Sequence, residues 1–132
     1  MDKEKERELV YRLRMLEQQT QNLQEQLQAV EQGIVELSEL DLGLDELKGG
    51  EGKELLSQIG RGIFVKSKLA SEELTVDIGG KNFVKKSIPQ TKEIIEEQLK
   101  KLEAVKKELE KGLENAGEEM TASLEEFRKT QE

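Results

Sequence analysis

Two glycine-rich basic stretches and several paired carboxylates are the parts of this 132-residue chain that could do chemistry. The stretch "KGGEGKE", residues 48–54, contains the Gly-Lys of a phosphate-cradling loop. Such a loop needs Ser or Thr after the lysine to hold Mg²⁺ and an earlier glycine at fixed spacing. Glu54 occupies the first place and the second is not met, so the stretch reads as a turn. Gly60-Arg61-Gly62 lacks the third glycine of a dinucleotide fingerprint and also reads as a turn. Glu96-Glu97 and Glu118-Glu119 sit in strongly helical, charged surroundings. Acid–base work requires carboxyls held in a cleft, and nothing here encloses these pairs, so they read as solvated helix faces. There is no Cys and no His, hence no disulfide, no thiol nucleophile and no ordinary zinc site. The residues support no enzyme and no cofactor.

What remains is architecture. Only 34% of residues are hydrophobic and 3% aromatic, thin for a self-sufficient core, so much apolar surface is expected to be covered by other subunits. Charged residues make up 38% in both signs, as on solvated helices. The net charge of −8 opposes a nucleic-acid partner, because neutralising phosphate needs a basic field. No apolar run approaches the roughly 18 residues of a membrane helix, and the N-terminus lacks a signal-type stretch, so no membrane partner and a cytoplasmic location are expected.

From the N-terminus, Leu9, Leu13, Leu16, Leu23, Leu27, Val30, Ile34 and Leu37 recur in alternating steps of four and three, with Thr20 in the one gap. That is a heptad seam. Ile95, Leu99, Leu102, Leu109, Leu113, Ala116, Met120 and Phe127 repeat it, with Lys106 and Ser123 in the remaining positions. Folded back on each other, the two seams match along their length. Leu9 would lie beside Phe127, Leu16 beside Met120, Leu23 beside Leu113 and Leu37 beside Leu99. Thr20 would face Ala116, and Lys106 would lie across from Val30.

Between the arms the pattern changes to strand. Leu55–Ile59, Ile63–Leu69, Leu74–Ile78 and Phe83–Ser87 are rich in β-branched and large apolar residues. Turn signals at 60–62, 70–72 and 79–81 separate them. They predict two hairpins. A second helix starts at Ser87, which can cap, with Gln90 completing a capping box and Pro89 in the first turn. The fold class is therefore α+β: a long antiparallel two-helix coiled coil with two central β-hairpins. Its parts are an N-terminal helix (1–47), an assembly region (48–87) and a C-terminal helix (88–132). Lone hairpins are marginal in water and expose unpaired edges, so these are expected to assemble with other subunits into an oligomeric β-barrel body. The residues to carry that assembly are Ile59, Ile63, Val65, Leu69, Leu74, Val76, Ile78 and Phe83. Lys66, Lys68, Lys81, Lys85 and Lys86 form the one local basic cluster; they read as edge protection, with docking to an acidic surface as the alternative.

Apolar residues off the seam are absent from the middle of both arms but return at the free ends, as Val10, Tyr11, Met15 and Leu124. Beside the seam residues Leu9, Leu13, Met120 and Phe127 they form either a reinforced helix end or a contact surface.

The order of heptad arm, two hairpins and heptad arm, with "IGRGIFVKSKL" and "LTVDIGGKNFVKKSI" as the hairpin segments, resembles the alpha-type subunits of archaeal prefoldin over essentially the whole chain. That resemblance implies a hexamer of two alpha and four beta subunits. Hairpins would join into a double β-barrel from which the coiled coils project. It further implies an ATP-independent chaperone that holds unfolded client proteins at the coiled-coil tips and passes them to a group II chaperonin. By position the client-binding residues would be Leu9, Val10, Tyr11, Leu13, Met120, Leu124 and Phe127. A coiled-coil scaffold or a filament-forming prefoldin relative is the rival expectation; it would need the hairpins but no apolar tips.

Overall fold

The computed structural model describes residues 2–131. Helix α1 covers Lys3–Leu47, strands β1 to β4 cover Glu54–Gly60, Ile63–Lys68, Leu74–Asp77 and Phe83–Lys86, and helix α2 covers Ile88–Thr130. The fold is thus two long helices with two small hairpins between them, as the sequence predicts. The chain forms two compact units, one from Met1–Ile34 and Lys101–Glu132, the other from Val35–Lys100.

In the first unit the two helical stretches run antiparallel with the heptad residues inward. Leu9, Leu16, Leu109, Ala116 and Ser123 are buried. Leu13, Thr20, Leu23, Leu27, Val30, Leu113, Met120 and Phe127 are half-buried, while the residues between seam positions are largely exposed. Leu23 lies against Gly112, one residue from the expected Leu113, and Leu102 lies against Gly33. At both crossings a glycine lets the opposite leucine approach closely. Nearer the chain ends, Lys5 pairs with Glu126 at 3.7 Å and Gln131 Nε2 donates to Glu6 Oε1 at 2.9 Å. Asp2 caps α1 by accepting from the Glu4 N–H at 3.2 Å.

In the second unit the seam continues past the expected residues. Leu44, Ile88 and Ile95 form a buried cluster against which Leu37, Leu47, Leu74 and Leu99 pack. Helix α1 ends because Gly49 takes a left-handed conformation (φ 66°) and the Gly50 N–H returns to the Leu47 carbonyl at 3.0 Å. The Glu72 carboxylate accepts from the Gly49 N–H at 2.7 Å and ties the link between the hairpins to the helix end. Helix α2 opens with the full capping box: Ser87 N–H donates to Gln90 Oε1 at 3.0 Å and Gln90 N–H to Ser87 Oγ at 3.2 Å.

Strand β1 pairs antiparallel with β2, and β3 with β4, as two separate two-stranded sheets. Arg61 and Gly62 both have positive φ, as do Gly80 and Lys81, the requirement of the tight hairpin turn that matches strand twist. The ladders run slightly beyond the strands: Leu69 N–H donates to the Lys53 carbonyl at 3.0 Å, and Ile78 N–H to the Asn82 carbonyl at 2.9 Å.

Candidate functional site

The residues singled out at the free helix ends divide by exposure. Leu9, at 3% exposed, is a seam residue held between the helices, and Leu13, Met120 and Phe127 are half-covered. Val10 is half-buried, whereas Tyr11 (67% exposed), Met15 and Leu124 stand out into solvent. The helical end therefore has a closed seam and an open flank. A shallow groove of about 490 Å³ runs along α1 there, lined by Lys3, Glu6, Arg7, Val10, Tyr11 and Arg14. It has no enclosing walls, so it suits extended chain segments better than a small molecule.

The hairpins present a second apolar surface. Ile59 is 70% exposed, and Ile63, Val65, Ile78 and Phe83 are also exposed, while Leu69, Leu74 and Val76 are half-buried. Sequence reading missed two members. Leu56 lies opposite Lys66 and Phe64 opposite Gln58, so they share the face of β1–β2 turned away from Ser57 and Val65, and both are exposed. The missing signal was cross-strand register, which assigns the face and which composition does not show. The first hairpin is thus apolar on both faces and open along both edges. Val35, Leu40 and Leu42 on α1 add exposed apolar surface in the same unit.

One polar feature sits among this apolar surface. Lys92 Nζ lies 2.6 Å from Asp45 Oδ1 and 3.9 Å from Asp41 Oδ1, with its side chain only 16% exposed. Asp41 occupies the next seam position after Leu37 and precedes Leu44. The hydrogen bond from Lys92, and then that from Lys48, holds the Asp45 carboxyl below the usual carboxylate range. Its hydrogen bond to Asp45 raises Lys92 above the usual lysine range against the opposing cost of burial. The arrangement joins α1 to α2 beside the buried cluster. Among the described residues no group of acidic side chains is placed to hold a metal ion, and no helix is long and apolar enough to cross a membrane.

The family described as Prefoldin subunit matches residues 16–132. The chain belongs to the prefoldin family. It is 33% identical over 97 residues to a prefoldin subunit alpha from Methanobrevibacter smithii, an alignment covering 73% of this chain and 66% of that protein. With the prefoldin subunit alpha of Methanosphaera stadtmanae it shares 25% identity over 95 residues, covering 72% of this chain and 69% of the relative. Its fold matches a cryo-EM structure of filamentous PFD from Methanocaldococcus jannaschii with a TM-score of 0.76 at 22% identity, covering 88% of this chain and 98% of that one. Prefoldin is a chaperone family whose subunits assemble into oligomers. Membership therefore supports a chaperone-type role, and the resemblance to archaeal alpha subunits drawn from the hairpin segments stands.

Proposed function

We propose that this chain is the alpha-type subunit of a prefoldin hexamer. Two copies join four beta subunits through their hairpins, and the helical ends capture unfolded proteins without ATP and pass them to a group II chaperonin in the cytoplasm. The observation that carries the reading is the pairing of two exposed apolar surfaces on one chain: hairpins with open edges, and a helical end whose seam is closed while Tyr11, Met15 and Leu124 remain exposed. The hairpins supply assembly, since a two-stranded sheet gains stability when further strands cover its faces and edges. The ends supply capture.

Each apolar contact with a client is weak, about 1 to 3 kcal/mol per side chain fully buried. Several ends engaging one unfolded chain gain by effective concentration, and the same weakness allows release without a nucleotide. A second reading, open-ended polymerisation through the hairpins, is favoured by the likeness to filamentous PFD. Mass measurement after mixing with a beta-type subunit separates the two. A closed particle formed only with the second subunit supports the hexamer; growing polymers of this chain alone support the filament.

A further inference from the structure

Helix α1 distributes its charge unevenly. Its five basic residues, Lys3, Lys5, Arg7, Arg12 and Arg14, all lie at or before residue 14, and from Met15 to Leu47 there are eight Asp and Glu and no Lys or Arg. Interleaved with Asp2, Glu4, Glu6 and Glu8, these five cations leave the first 14 residues close to neutral, against an α1 remainder that carries only acidic charge.

The basic residues do not all serve the same end. Lys5 pairs with Glu126 across the two helices, and Glu6 accepts from Gln131. Lys3, Arg7 and Arg14 instead follow, with Tyr11, the spacing that stacks side chains on one helix face, away from the Leu9–Leu13–Leu16 seam. All four are exposed, and among the described residues the side chains of Lys3, Arg7 and Arg14 have no ion-pair or hydrogen-bond partner. Lys3 even opens the helix, at the end where the macrodipole disfavours a cation. Helix stability does not explain that placement.

We infer that this outward stripe of Lys3, Arg7, Tyr11 and Arg14 selects client segments in which acidic side chains alternate with apolar ones. The inference rests on the proposed capture of clients at the helical ends and adds the chemistry of what is captured. Val10 and Tyr11 offer apolar area to an extended segment, and the guanidinium groups on either side can each take a carboxylate through paired donors. The rest of α1 beyond Arg14, which carries only acidic charge, repels such a segment; at the stripe three exposed cations face one groove-lining carboxylate, Glu6, which already accepts from Gln131, so within a Debye length of about 8 Å at physiological salt the local sign is attractive. A bilayer or nucleic acid carries a continuous anionic field that meets the acidic remainder of the chain as well. A short acidic client segment held at the helical end meets only the stripe.

The test uses the full-length chain in its assembled form and three fluorescein-labelled, unstructured 20-residue peptides. They share one apolar pattern and differ only in carrying Glu, Ser or Lys at the intervening positions. Fluorescence anisotropy at low salt is expected to give the Glu peptide about five-fold tighter binding than the Ser peptide, and the Lys peptide the weakest. The Glu-to-Ser ratio should fall toward one at high salt and also in the Lys3→Gln/Arg7→Gln/Arg14→Gln variant. Equal binding of the three peptides, or a ratio unchanged in the triple variant, overturns the charge selection while leaving client capture intact. Failure of all three to bind overturns capture and selection together. Co-sedimentation with phosphatidylserine vesicles that the triple variant abolishes, without discrimination among peptides, would assign the stripe to a membrane and also overturn the inference.

Discussion

Thr20 sits in the α1 seam where the neighbouring heptads carry leucine, and its Oγ1 is buried with no hydrogen-bond partner. A buried hydroxyl that has left water without a replacement bond costs about 1 to 3 kcal/mol by protein mutational data. Thr20→Val keeps the shape and removes the orphan oxygen, so it is expected to raise thermal stability by about 1 kcal/mol, measurable by circular dichroism melting. The Lys92–Asp45 pair makes the opposite case. The Asp45 carboxyl is held low, so its contribution is present above the ordinary Asp value near 4 and is lost as pH falls through the depressed value. Lys92 is held high, so its contribution is present below the ordinary Lys value near 10.4 and is lost as pH rises through the raised one. Between those limits the pair's contribution is flat. Melting points measured from pH 3 to pH 7 should rise less steeply in Asp45→Asn than in the unmodified chain; an identical slope would remove the pair from the account.

At the scale of elements, the seam decides what a substitution does. Leu109 is buried between the helices of the first unit, and Leu109→Asp places a charge where a leucine packed, at a cost of several kcal/mol. Helical signal should melt earlier while the particle still assembles, because the hairpins belong to the other unit; size-exclusion chromatography beside circular dichroism checks both halves of that expectation. The seam was legible because leucines at steps of four and three can mean little else, and the second helix start because Ser87, Pro89 and Gln90 bear the chemistry of a cap. The hairpin turns were legible from their glycines, although Arg61 and Lys81 also take positive φ there. Leu56 and Phe64 were legible as strand residues but not as part of the assembly surface, because only the paired register places them together on a face. The Asp41–Lys92–Asp45 grouping escaped because its members lie on two helices far apart in sequence, and the α1 stripe because its cations are interleaved in sequence with Glu4, Glu6 and Glu8, which hide it in a near-neutral stretch.

For the whole molecule, the proposed division of labour is assembly at the hairpins and capture at the helical ends. Deleting residues 53–87 and joining the arms with a short flexible linker should preserve helix while abolishing the oligomer, read by light-scattering mass; an oligomer of unchanged mass would place assembly in the helices. The central claim is that exposed apolar side chains at the ends hold unfolded clients. Its most direct test is the turbidity of an aggregating client, such as chemically unfolded citrate synthase, in the presence of the assembled Tyr11→Ser/Met15→Ser/Leu124→Ser variant, which leaves the half-buried Val10 and the seam residue Phe127 in place. The account expects a particle of normal mass that has lost most of its suppression of aggregation. Protection equal to that of the unmodified particle would contradict it.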